Sequence, residues 1–294
     1  MQSTDTLRFP GFVRVRVVPY AALAASIVTF CIGTSLAKRL FPLVGAEGTT
    51  AYRVGFSALI LLVVMRPWRF ALARPDLLKI MRYGAALGTM NLCFYMALRT
   101  IPLGLAIAIE FLGPLSVSLL HSRRPIHFAM VGLAVVGLAL LLPLHPADHT
   151  LDPVGIMFAL GAAICWALYI VFGKRTGHLP SGQVVAVGMA TAAMMVVPIG
   201  IYQAGALLLT PTWLGLGLAA ALLSSAIPYS LEMIALKGIP ANSLGVLLSV
   251  EPAAGAVAGA MLLDEYLTAL QWIAIMLVIG ASIGMIMTKD TPQM

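Results

Sequence analysis

The sequence predicts an all-α integral membrane protein of ten transmembrane helices, arranged as two inverted five-helix repeats around a central cavity. Three observations predict it. The 294 residues are 61% hydrophobic and only 10% charged, with a mean hydropathy of +0.99, whereas about a quarter of a soluble globular domain is charged. Apolar runs long enough to cross about 30 Å of hydrocarbon follow one another along the chain. The second half of the chain also carries motifs of the first.

The runs fall at 18–37, 45–65, 80–98, 101–120, 127–144, 154–173, 182–203, 213–236, 239–262 and 268–288. Residues 1–17, with Arg8, Arg14 and Arg16, read as a basic cytoplasmic tail rather than a cleaved leader, since no small-residue cleavage site precedes a soluble segment. Between runs lie short joints with turn chemistry, such as "RPWRFALARPD", "LRTIPLG", "HSRRPIH", "GKRTGHLPSG" and "KGIPAN". Counted on alternate sides, the Lys and Arg residues outside the spans collect on the N-terminal side, and only Lys38, Arg39 and Arg99 fall opposite. The positive-inside rule then places both termini in the cytoplasm, including a C-terminal tail at 289–294. The net charge of +7 is therefore a topology signal; no basic stripe interleaved with aromatics points to nucleic acid.

The internal similarity pairs "TSLAKRLFP" (34–42) with "IVFGKRTG" (170–177), and "ALRTIPLGLAIAIE" (97–110) with "ALKGIPANSLGVLLSVE" (235–251). The repeats are thus 18–150 and 151–288. Five helices per copy is an odd number, so the second copy enters the membrane with opposite polarity. This is the build of many secondary transporters, whose substrate site lies near the midplane between copies.

Four ionisable side chains fall well inside the runs, away from the ends where Glu47 and Arg82 lie: Arg53, Glu110, Glu232 and Glu251. A charge at a helix centre costs about 2.5–3.5 kcal/mol even on lenient insertion scales, and such residues by default mark a pathway. Glu110 and Glu251 are counterparts under the repeat and read as functional. Glu232 is either functional or paired with Lys237, about one turn away. Arg53 is either a clamp for a substrate carboxylate or the counter-ion of a glutamate. Asn91 and Tyr229 hold equivalent positions, after Met90 and Pro228, and join the candidates together with Trp166; Tyr95, Tyr169, Ser225, Ser230 and Ser249 read mainly as helix-helix glue and interfacial anchors. Pro114, Pro228 and Pro252 lie within runs and predict kinks, or local unwinding beside Glu251.

Enzyme signatures are absent: the chain has no H-E-x-x-H, G-x-S-x-G or phosphate-binding Gly-Lys loop. His145, Asp148, His149 and Asp152 in "HPADHTLD" read as a turn-rich external loop rather than a metal site, and no cofactor is expected. Cys31, Cys93 and Cys165 are far apart in apolar runs and read as packing residues.

"SLAKRLFPLVGAEGTTAYR", "IPLGLAIAIEFLGPLSVSLLHSRRP", "LGAAICWALYIVFGKR", "IPYSLEMIAL" and "VEPAAGAVAGAMLLDEYLT" resemble the EamA-type branch of the drug/metabolite transporter superfamily. "EFLGPL", "SRRP" and "YSLEMIAL" narrow this to the threonine and homoserine exporters of Gram-negative inner membranes. The resemblance covers nearly the whole chain. It implies export of small amino acids from the cytoplasm, with Glu110 and Glu251 lining or supporting the cavity and Glu232 a structural or gating neighbour. The buried glutamates themselves, which can take a proton or a substrate ammonium but not both, predict alternating access with proton antiport. Other substrates within the superfamily, such as aromatic amino acids, purine-like compounds or cationic drugs, and passive flux through a channel are the alternatives.

Overall fold

The structure is a computed structural model whose described residues are 12–69, 72–120, 125–141, 152–239, 244 and 247–287. Among them the chain is helical, with no strand. The helices are α1 Phe12–Lys38, α2 Phe41–Met65, α3 Arg74–Ala97, α4 Leu103–Glu110, α5 Leu112–Leu120, α6 Pro125–Leu141, α7 Pro153–Arg175, α8 Ser181–Ala204, α9 Pro211–Ala221, α10 Ile227–Gly238, α11 Glu251–Leu262 and α12 Ala269–Met287. Five segments among the described residues are long and apolar enough to cross a membrane: Val17–Lys38, Phe41–Arg69, Pro153–Arg175, Ser181–Leu209 and Pro211–Gly238. Large apolar side chains such as Leu59, Val63, Met157, Ile164, Met194 and Met261 face outward and are exposed, a surface suited to lipid rather than water.

Helix boundaries follow local chemistry. Prolines open α2, α3, α7 and α9 within their first two positions, where a missing N–H leaves no bond unmade. Asp152 caps α7 by accepting from the backbone N–H groups of Val154 (3.2 Å) and Gly155 (3.3 Å); the Thr100 hydroxyl first, then those amides, hold its carboxyl below the ordinary carboxylate range. Asp152 is thus committed to a cap, and His145, Asp148 and His149 lie outside the described residues. Among the described residues no three His, Cys, Asp or Glu side chains gather to hold a metal. At the start of α3, Asp76 bonds Lys79 (2.8 Å) and reaches His178 (3.1 Å) in the joint between α7 and α8. These two partners, Lys79 foremost, hold its carboxyl below the usual range.

Three apolar runs of the sequence are interrupted. Phe111 separates α4 from α5, a turn at Ser249 and Val250 precedes α11, and a π turn at Leu222–Ala226 joins α9 to α10. Each interruption has a proline close after it. Pro114, Pro228 and Pro252 cannot donate to the carbonyls of Glu110, Ser224 and Leu248 four residues earlier. In α2 the kink sits at Gly45, whose φ of +73° is a region that side-chain-bearing residues avoid.

α2 packs on α8, α3 on α7 and α8, α1 on α10 and the π turn, α2 on α9, α4 on α11 and α7, α1 on α11, and α6 on α12. The α4–α11 approach is close because Gly104 meets the Ala256 backbone: a Cβ on Gly104 would lie 2.6 Å from the Ala256 Cα. Gly104→Val is therefore expected to overpack this seam at about 1–3 kcal/mol. A lower thermal midpoint in detergent checks this, and an unchanged midpoint would refute the close approach.

Candidate functional site

The helix interruptions converge on one cavity, lined by residues of α1, α3, α4, α7, α10 and α11. Its polar lining is Glu110, Glu232, Glu251, Asn91, Tyr229 and Ser26. Its apolar lining is Ile27, Phe30, Met90, Phe94, Trp166, Pro228 and Leu248. Glu110 ends α4, Glu251 opens α11, and Glu232 lies on α10 three residues after Tyr229. All three carboxylates are at least nine-tenths buried, and no cation pairs with any of them among the described residues. Glu251 Oε2 has no hydrogen-bond partner there. Trp166 packs edge-on against Phe111, the residue at the α4–α5 interruption, with ring centroids 6.1 Å apart.

Six of the seven candidates read from the sequence thus line one cavity. Arg53 stands behind the wall. It is fully buried: Nε donates to Ser224 Oγ (2.5 Å), Nη2 to the Ser224 carbonyl (2.6 Å) and Nη1 to Asn91 Oδ1 (3.0 Å), while the guanidinium lies 4.2 Å from the Tyr95 ring centroid. The Ser224 carbonyl is available because Pro228, four residues on, has no N–H to offer it. Arg53 is accordingly neither ion-paired to a glutamate nor exposed to the cavity. Asn91 Oδ1 also accepts from Tyr229 OH (3.1 Å), and Asn91 Nδ2 donates to the Leu87 carbonyl (2.9 Å). Arg53 therefore positions Asn91, and Asn91 positions Tyr229.

The pairing of Glu232 with Lys237 is not made. Lys237 Nζ donates instead to the Leu179 carbonyl. Ser26 and Ser224 were not candidates in the sequence, where they are two serines among many in apolar runs. Ser26 donates to the Pro228 carbonyl (3.1 Å) and Ser224 to the Ala220 carbonyl. The signal for Ser224 was its spacing of four from Pro228.

A second polar cluster ties helix ends together away from the cavity. Lys38 Nζ pairs with Glu265 Oε1 (2.6 Å) and donates to the Ile101 carbonyl (3.3 Å), while Glu265 Oε2 accepts from the Leu103 N–H (2.8 Å) at the start of α4. Arg39 donates to the Leu262 carbonyl (2.7 Å), and Arg99 lies 3.6 Å from Glu47. The ends of α1 and α11 and the start of α4 are held as one unit.

Asn91→Leu should leave an Arg53 donor and the Tyr229 hydroxyl unpartnered, at roughly 1–3 kcal/mol for each group. The expected outcome is a lower thermal midpoint, largely regained in Asn91→Asp, which keeps the acceptor. At the second cluster, Glu265→Gln keeps an acceptor for Leu103 and loses the ion pair, worth about 0–1 kcal/mol at a partly exposed site. Its thermal midpoint should fall slightly and respond less to added salt than that of the wild type.

Comparison with known proteins adds identity to this geometry. The model of the EamA-like transporter family matches residues 153–287. The chain is 47% identical over 281 residues, 95% of each sequence, to the threonine/homoserine exporter RhtA of Escherichia coli strain K12. It is also 47% identical over 277 residues, 94% of each, to threonine/homoserine exporter RhtA of Salmonella typhimurium strain LT2. A solved crystal structure aligns over 92% of this chain and 96% of its own with a TM-score of 0.60 at 19% identity, a likeness of fold. The chain belongs to the EamA-like transporter family.

Proposed function

We propose that the protein exports small amino acids of the threonine and homoserine type from the cytoplasm by alternating access, coupled to protons, in the bacterial inner membrane. The observation that carries this is a cavity lined by three buried carboxylates and, among the described residues, by no cationic side chain. The relatives that match over nearly the full chain, named threonine/homoserine exporters, support the substrate class.

Ten spans in two inverted repeats, 18–150 and 151–288, with tails 1–17 and 289–294 in the cytoplasm, give the reading its frame. The packing pattern supports this frame. Exchanging α1 with α7, α2 with α8, α3 with α9–α10, α4–α5 with α11, and α6 with α12 returns the most extensive of these packings, though not every minor one. Thus α3 on α7 becomes α10 on α1, α3 on α8 becomes α9 on α2, and α4 on α7 becomes α11 on α1. Two copies of one unit facing each other pack this way, with a site on the axis between them.

A zwitterion needs an acceptor for its ammonium and donors for its carboxylate. Glu110 and Glu251 offer the first. Arg53 does not line the cavity and the Tyr229 hydroxyl donates to Asn91, so the second falls to Trp166, whose indole N–H makes no hydrogen bond among the described residues, and to the remaining amide hydrogen of Asn91. A carboxylate that accepts either a proton or an ammonium cannot accept both, and that exclusion is antiport. Aromatic side chains beside the carboxylates also suit a cation, which favours cationic compounds as the second substrate class.

Counterflow of labelled homoserine and threonine into proteoliposomes tests the reading. Wild type should show saturable exchange that a pH gradient accelerates. Glu110→Gln should insert normally and lose the response to the gradient. Normal gradient-driven transport by that variant removes Glu110 from coupling, and no exchange by the wild type removes the substrate class.

A further inference from the structure

Glu232 shares the cavity lining with Tyr229 and also lies beside two tyrosines, Tyr169 and Tyr83, just beyond that lining. It sits on α10 one turn beyond Tyr229, on the same face, toward the end of the helix marked by Lys237. Tyr169 on α7 lies beside it and beside Tyr83 on α3. The Tyr83 and Tyr169 ring centroids are 4.9 Å apart, and those of Tyr169 and Tyr229 are 6.3 Å apart. Tyr83 is seated against the backbone of α8, where a Cβ on Gly188 would come within 2.6 Å of its ring. Helix packing therefore fixes where the Tyr83 ring stands.

The hydroxyls of Tyr83 and Tyr169 are fully buried and stand near each other and Glu232, yet neither completes a hydrogen bond of good geometry among the described residues. A buried tyrosine hydroxyl normally completes one. Glu232 beside them pairs with no cation among the described residues: Lys237 is taken by the Leu179 carbonyl, and Arg53 by Ser224 and Asn91. A carboxylate, two phenolic oxygens and three ring faces are complementary to one kind of group, a cation rich in N–H donors. A primary ammonium has three donors and no acceptor, and aromatic faces attract it further. An anion would meet only repulsion from the carboxylate.

We infer that Glu232, Tyr169, Tyr83 and Tyr229 form a second station for the primary ammonium of the substrate, on the α10 side of the cavity. The inference rests on the transport reading above. Under the proposed topology, this station faces the cytoplasm and receives the ammonium before Glu110 and Glu251 do. Glu232 is then a substrate contact rather than a structural neighbour.

The test measures half-saturating homoserine at the cytoplasmic face of oriented proteoliposomes for wild type, Glu232→Gln and Tyr169→Phe. In parallel, ethanolamine is used as a bare primary ammonium in thermal-shift assays on the purified proteins. Loss of a charged hydrogen bond predicts a rise of roughly tenfold or more in half-saturating homoserine for Glu232→Gln, and a smaller rise for Tyr169→Phe, with the maximal rate nearly kept. Ethanolamine should stabilise the wild type and lose that effect in Glu232→Gln. The analogue 2,4-dihydroxybutanoate, with a hydroxyl in place of the amine, should compete poorly with the wild type and no worse with the variant.

Unchanged half-saturation in Glu232→Gln overturns the station, as does a fall in maximal rate alone. If Glu232→Gln fails to fold, Tyr169→Phe and Tyr83→Phe decide, and wild-type values in both overturn it. Absence of homoserine and threonine exchange in the wild type strikes the transport reading instead, and the ethanolamine shift still decides the station.

Discussion

The buried guanidinium of Arg53 is the constraint around which the interior is organised. A charge with no carboxylate partner in an apolar interior has to be met by hydrogen bonds, and the protein meets it from three directions at once. α2 brings the charge, α3 brings Asn91 and the Tyr95 ring, and the π turn brings the carbonyl and hydroxyl of Ser224. No single helix can supply that arrangement, so satisfying Arg53 ties α2 to α3 and to the π turn that leads into α10, α3 and α10 being two of the elements that present residues to the cavity. Tyr229 then takes its place through Asn91.

With the only deeply buried cation among the described residues consumed in this way, the three glutamates line the cavity without a counter-charge among those residues. Three carboxylates on one cavity set up a demand for positive charge that is met from outside the described residues. A proton and an ammonium are the two small cations the proposed cycle provides. The aromatic and aliphatic lining, Phe30 and Trp166 among it, limits what can accompany that charge. At a distance from this site, Lys38 and Glu265 tie helix ends without drawing on the cavity charges.

Hydropathy exposed the all-helical, membrane-spanning character of the chain because burial in lipid demands long apolar runs, and those runs are where the helices lie. It could not expose the interruptions, since a turn at Phe111 or Val250 leaves the apolar pattern unchanged. The prolines marked their neighbourhood without specifying a π turn or a break. Glu110, Glu232 and Glu251 stood out because a carboxylate in a span is costly. The bonding of Arg53 was illegible for the opposite reason: its partners Ser224 and Asn91 are ordinary residues 171 and 38 positions away. Proximity in sequence likewise suggested Lys237 for Glu232, but the lysine reaches a backbone carbonyl on another segment.

The π turn at Leu222–Ala226 accommodates one residue more than an α-helical turn would. If it relaxed to regular α-helix, everything after it would advance by one residue, a rotation of about 100° and a translation of about 1.5 Å along the axis. Tyr229 and Glu232 would swing off the cavity wall together, as teeth on a ratchet. Arg53 grips Ser224 in the middle of that turn, so a residue that touches no cargo is the pawl that sets which side chains the cavity displays.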